Sequence, residues 1–369
     1  MRVGTGANYI NDLIVEKLGQ RGIRVKSFYP RTPLLDSPYH LRGLKNILFF
    51  YSLLEHKDEI LKCDLIQGTT YTPLTFLPFE IPVVAHFGST SRGFLEATPL
   101  TNDLDGVGRK IYHELRGNGV IDHLNIKSRR PLRDIAEIEE YTATKAEAVI
   151  ATSGNVMGEL LRCGANKSKV KIIYNAIEDY WFDLPELTYV KSPHIFFLGR
   201  LGDDVFNFKL KGLDRLIDVC REFSGVQKTI ITITTNVKII NWLKETLLNV
   251  RLFTNIIKID LSSIMRPCAG GVLFIPSRYE GFSLSLIEGM SQGLVPVAYP
   301  VGVVPEIIQD GENGFIVRDQ DAAKNRIREL VENKILREKM SLKAVETAQL
   351  FRADRIIDKW VALYMSLIK

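Results

Sequence analysis

At 369 residues, 46% hydrophobic and 25% charged, the chain has the composition of a globular protein and the length of two ordinary domains. Its net charge of +5 falls almost wholly after residue 190, so no basic stripe marks a nucleic-acid binder, and the excess suits a second half that holds an anionic ligand. Cys63, Cys163, Cys220 and Cys268 show no metal-ligand or disulfide spacing, and neither a signal peptide nor a membrane-length apolar run is visible, so a reduced, cytoplasmic setting is expected.

In chain order, strand-like and helix-like segments alternate throughout, the pattern of doubly wound α/β domains. Only Met1-Arg-Val3 is available as a first strand before the glycine loop Gly4-Thr-Gly6 and a helix over about 9–19. Strands are expected at Ile23–Tyr29, Asp64–Gln67, Pro82–His86, Ala148–Ala151 and Val170–Tyr174, with helices at about 44–61, 108–116, 134–146 and 154–163. The 44–61 helix is unusually apolar: Leu44, Ile47, Leu48, Tyr51 and Leu54 share one face and Phe49 and Phe50 extend it. Core packing explains that face most simply, and an interfacial face is the second reading. Asp103-Leu-Asp105, between Pro99 and Gly106, reads as a polar loop rather than a metal site. The basic run Lys127–Arg133 reads as a solvated loop, with contact to an acidic membrane surface as the minority reading.

The polar link Asp183–Leu187 divides the chain into domains at 1–187 and 188–351, with a terminal amphipathic helix at 352–369. In the second half, strands are expected at 194–198, 229–234, about 271–275, 295–298 and 315–317. Helices are expected at about 212–223, 238–247, 284–292 and 321–331.

The stretch Pro276–Pro296 carries most of the functional information. A buried strand, Gly271–Ile275, breaks at Pro276 and Gly281, and a helix begins near Ser283. A strand–turn–helix corner aims backbone N–H groups and a positive dipole end into the turn. Glu280 lies in that turn and Glu288 eight positions later in the helix. Upstream, Gly199-Arg200 ends the strand beginning at Ile195, and Lys211-Gly212 opens the next helix. Lys209, in the intervening loop, competes with Lys211 for any phosphate-binding role. Downstream stand Gly302-Val-Val-Pro-Glu-Ile307 and Asp310-Gly-Glu-Asn-Gly-Phe315.

In this order and spacing the four blocks resemble those of the retaining GT-B glycosyltransferases, most closely the GT4-type (glycosyltransferase group 1) family. The resemblance implies two Rossmann-like domains facing a cleft, with the acceptor on the N-terminal domain, the donor on the C-terminal domain, and the final helix crossing back. It implies that Arg200 and Lys211 neutralise the departing diphosphate, a task for which a guanidinium fork and a mobile ammonium are suited. Glu288 is then the acceptor for the vicinal hydroxyls of the donor's ribose, and Glu280 holds the transferred sugar. Gly199 and the backbone from Gly281 through Phe282 and Ser283 to Leu284 line the donor, and Gly6 approaches the diphosphate. His86, after Val83-Val-Ala85, faces the donor sugar. The implied donor is a UDP- or GDP-sugar, with no further cofactor and no metal, and the acceptor is a sugar or lipid-linked hydroxyl, met in the cytoplasm or on the inner face of the membrane. Alternatives are a nucleotide-sugar epimerase, a disaccharide phosphorylase or a degenerate binding protein. A nicotinamide-dependent oxidoreductase would need a third glycine that Gly4-Thr-Gly6-Ala-Asn-Tyr9 lacks.

Overall fold

The computed structural model describes residues 6–31, 49–183 and 187–368. The first half gives α1 (Gly6–Gln20), β1 (Ile66–Thr69), β2 (Val83–Phe87), α2 (Gly106–Gly117), α3 (Arg130–Lys145), β3 (Ala148–Ala151) and β4 (Val170–Ile172). The second gives β5 (His194–Leu198), α4 (Leu213–Glu222), β6 (Gln227–Thr232), β7 (Val250–Thr254), β8 (Val272–Ile275), α5 (Leu284–Ser291), β9 (Val295–Ala298), β10 (Phe315–Ile316) and α6 (Ala353–Leu367). Every pairing among these strands is parallel, and they form two sheets, ordered β1-β2-β3-β4 and β10-β9-β8-β5-β6-β7. The chain is thus α/β, with two parallel-sheet units.

The first-sheet unit comprises Ala7–Leu95, Ser128–Ala176 and the chain from Ala353 onward. Strands β2 and β3 are buried along their whole length, as continuous apolar runs in a parallel sheet must be. Helix α6 closes this unit. Lys17 of α1 pairs with Asp354 at 2.9 Å, Arg21 with Asp358 at 3.0 Å, and the buried indole of Trp360 meets the His86 ring edge-on at 5.0 Å. Tyr364 donates its hydroxyl hydrogen to Gln67 of β1.

The second-sheet unit holds 96–127 as well as 177–352. This corrects the division at 187. Leu104, Ile111, Tyr112 and Leu115, with Val120 and Ile121, join one core with Leu213, Leu216, Ile217 and Cys220 of α4. A buried ammonium fixes the same excursion: Lys209 donates to the Pro99 carbonyl at 2.9 Å and to Asn125 Oδ1 at 2.8 Å. The apolar face of α2 therefore belongs to the second sheet, although the chain returns to the first at Ser128. Ile177 likewise bonds the carbonyl of Phe351 at 3.1 Å, inside the second-sheet unit.

Other expectations need correction. Residues 23–29 form no strand and pair with none of the described strands; they are mostly exposed, Tyr29 most of all, with Ile23 and Phe28 half-buried. The apolar helix at 44–61 lies outside the described residues up to 48, and beyond them it tightens to a 3-10 turn at Ser52–His56. Within that turn Leu53 is buried while Leu54 is exposed; the chain is α-helical before it, where Tyr51 is exposed, and again at Lys57–Ile60, where Ile60 is buried. The basic run is loop through Arg129 and largely exposed, but its second half, Arg130–Arg133, opens α3, with Pro131 in the first turn and no acidic residue there. The stub Met1–Val3 and the loop residues Gly4 and Thr5 lie outside the described residues, while Gly6 begins α1. No helix among the described residues is long and apolar enough to cross a membrane.

Candidate active site

In the second sheet the strand order reverses between β5 and β8. Loops leaving the carboxyl ends of two such strands diverge and leave a crevice where ligands bind in doubly wound sheets. Gly199 and Arg200 leave β5 at that point, and Pro276 to Glu280 leave β8 beside them.

Two glycines allow the loops to meet there. Gly212 has φ of +64°, and a Cβ at that position would collide with the carbonyl oxygen of Pro276. Gly302 has φ of +53°, and a Cβ there would lie 2.9 Å from the carbonyl oxygens of Glu280 and Phe282. Gly212→Ala is expected to destabilise the protein by about 2 kcal/mol or more, from left-handed strain plus displacement of Pro276, read as a lower melting temperature.

Close approach at Gly212 brings together side chains 69 positions apart. Lys211 Nζ lies 2.6 Å from Glu280 Oε1, and Ser277 Oγ donates to the same oxygen at 2.7 Å. Arg278 secures the turn from behind: its guanidinium grips Asp214 through two bonds of 2.7 and 2.6 Å and donates to the Lys209 carbonyl at 3.0 Å. Arg200 is exposed and makes no hydrogen bond or ion pair with any described residue, so its guanidinium is unspent. Lys209 is not a competitor for phosphate, since its ammonium is buried on the excursion 96–127.

Helix α5 starts from an unusual residue. Ser283 adopts φ of +86°, a left-handed conformation rare outside glycine, and its side chain caps no N–H of the first turn. Gly281, Phe282 and Ser283 are buried at this corner, with Phe282 edge-on to Phe351. Glu288 lies deeper in α5 at 6% exposure. Burial pushes its carboxyl above the usual range, opposed by Lys258 at 3.3 Å and reinforced by the negative charge of Glu178. Lys258 also donates to Glu178 at 2.9 and 2.8 Å; although burial pulls its ammonium down, the two carboxylates outweigh that and raise it.

His86 belongs to the first-sheet unit, where β2 continues through it to Phe87. It is 3% exposed, and neither ring nitrogen has a hydrogen-bond partner among the described residues. Burial lowers its pKa to about 4, so it is a neutral imidazole at physiological pH. Asp103 and Asp105 are both occupied locally. Asp103 accepts the Leu100 N–H at 3.1 Å, and Asp105 caps α2 by accepting the Gly108 N–H at 2.6 Å. Among the described residues no group of three His, Cys, Asp or Glu side chains could hold a metal ion.

Sequence reasoning missed Ser277, Arg278, Asp214, Lys258 and Glu178. The signal for Lys258 was a lone cation among Ile256, Ile257 and Ile259, a place where an unpaired ammonium would be costly.

These two parallel α/β units have the GT-B fold of glycosyltransferases. Sucrose-phosphate synthase from Thermosynechococcus elongatus superposes with a TM-score of 0.72 at 17% identity, over 99% of this chain and 94% of that one. Anabaena HepE, solved in complex with UDP-glucose, superposes with a TM-score of 0.67 at 16% identity, over 98% and 96% of the two chains. Residues 185–347 match the family described as glycosyl transferases group 1. Among curated proteins, a 41.2 kDa protein in the cps region of Klebsiella pneumoniae is 26% identical over 240 residues, 62% of this chain. The chain spans just under two thirds, 64%, of that relative's length.

Proposed function

We propose that this chain is a retaining, metal-independent glycosyltransferase that moves a sugar from an α-linked nucleotide sugar to an acceptor hydroxyl on a glycan, a lipid-linked sugar or a small molecule. The observation that carries this reading is the convergence of Arg200, Lys211, Glu280 and the start of α5 at the switch point of the second sheet. As the bond from anomeric carbon to diphosphate breaks, negative charge grows on the departing phosphate and positive charge on the sugar. Arg200, Lys211 and the amides opening α5 meet the first, and Glu280 meets the second. Glu288 takes the ribose hydroxyls, and Gly6 and Gly199 let backbone approach the diphosphate. His86 is assigned to the transferred sugar as a neutral hydrogen-bonding ring, since no carboxylate among the described residues is hydrogen-bonded to it. The acceptor proton passes to the departing phosphate oxygen on the same face. HepE's complex with UDP-glucose supports a UDP-sugar donor, with a GDP-sugar as the other candidate. With the phosphate charge met by protein cations, the donor needs no divalent ion.

Slow donor hydrolysis, in which water replaces the acceptor, tests this without knowledge of the acceptor. With UDP-α-glucose or GDP-α-mannose and excess EDTA, the sugar released first should be the α anomer by NMR. The β anomer appearing first would establish inversion, and release only after magnesium or manganese is added would overturn metal independence.

A further inference from the structure

Lys258 follows β7 in an apolar stretch and has a side chain only 9% exposed. Its ammonium bridges Glu178, from the segment after β4, and Glu288 of α5. One positive and two negative charges thus share an interior space, and they are the charged groups facing Glu288 among the described residues. Burying three charges for stability alone is a poor bargain, since apolar replacements of buried ion groups are often at least as stable.

We propose that Lys258 is a positioning residue for the donor: it holds Glu288 as a carboxylate turned toward the ribose diol, an inference that rests on the nucleotide-sugar reading above. Two ribose hydroxyls both donate hydrogen bonds. A carboxylate offers both oxygens as acceptors, whereas a carboxylic acid offers one acceptor and one competing donor. Without Lys258, two carboxylates would face each other in a desolvated space and one would take up a proton. Glu288, with an 8% exposed side chain against 21% for Glu178, is the more buried and takes it. Donor affinity would then be lost as pH falls through the raised pKa of Glu288 and regained above it, because only the ionised form fits the diol.

The test compares binding of UDP and 2′-deoxy-UDP to the full chain by calorimetry from mildly acidic to mildly alkaline pH, with the GDP pair run beside it. Wild type and Lys258→Arg should prefer the ribonucleotide roughly tenfold or more, the value of a hydrogen bond to a charged group. Lys258→Met should lose that preference at neutral pH and recover it at higher pH. A Lys258→Met variant with wild-type preference and a flat pH profile overturns the inference. Should Lys258→Met fail to fold, Glu178→Gln decides: Lys258 then pairs with Glu288 alone, so ribonucleotide affinity at acidic pH should rise, and an unchanged or lower affinity overturns the inference. Glu288→Gln separates the two levels. If it keeps the ribose preference, the donor assignment of Glu288 fails and this inference with it. If it loses the preference while Lys258→Met keeps it, only the role of Lys258 fails.

Discussion

Lys211→Met is expected to lower turnover about a hundred- to a thousandfold, roughly 3–4 kcal/mol on the barrier, with a much smaller change in donor affinity. The asymmetry follows from where charge develops. The ground-state diphosphate already has water and other donors, while the extra negative charge on the leaving oxygen exists only as the bond breaks. Lys211 is well suited to answer it. Its ammonium lies 2.6 Å from Glu280, a carboxylate also held by Ser277, so it is oriented before the donor arrives. Methionine keeps the unbranched stem and removes the charge, so the fold is preserved. Arg200→Ala should act in the same direction with little change in melting temperature, because that exposed side chain makes no hydrogen bond or ion pair with any described residue. The measurement is kcat for donor hydrolysis or transfer beside thermal unfolding of each variant. Wild-type kcat in both variants would remove the proposed charge stabilisation at the leaving group.

The parts of the fold legible in the sequence were those whose burial is uniform. Ala148–Ala151, His194–Leu198 and Val295–Ala298 are short apolar runs in the sheet interiors, and the structure places strands on those residues. Strand β7 was missed because Val250-Arg-Leu-Phe-Thr254 lies at a sheet edge with no residue fully buried, so its apolar signal is diluted. Ile23–Tyr29 was overread for the opposite reason: alternation describes a chain able to form a strand, but pairing requires a neighbour that no local pattern supplies. The glutamate pair and the GR and KG blocks were legible because each depends on local turn chemistry. The contact of Lys211 with Glu280 was not, since it needs the close approach at Gly212. Nor could the pattern of 106–117 say which sheet receives its apolar face. An amphipathic helix declares that it has a partner, and only the tertiary fold says which.

That last point gives the largest stability effect expected here. Asp214→Ala should destabilise the protein by about 3–5 kcal/mol, the cost of breaking a buried ion pair by removing one partner. The Asp214 side chain is 4% exposed and that of Arg278 11%, and the two are joined by paired bonds. Removing the carboxylate leaves a guanidinium that cannot shed its charge. Arg278 would keep its bond to the Lys209 carbonyl, yet its backbone N–H, 2.7 Å from the Leu210 carbonyl, lies in the same turn that sets Glu280. The Tyr112 hydroxyl of α2 also reaches Asp214, at 3.5 Å, so the excursion 96–127 loses a polar tie to the second sheet. Denaturant unfolding should therefore show a lower midpoint, and hydrogen exchange should quicken across 96–127 and 209–214 more than across β1 to β4. Exchange that quickens equally in both sheets would mean that 96–127 is not held to the second-sheet unit through this pair. The double variant Asp214→Leu with Arg278→Met removes both charges at similar volume and should recover most of the lost stability. It should still turn over more slowly than wild type, because the turn carrying Glu280 then lacks the guanidinium's bonds to residue 214 and to the Lys209 carbonyl.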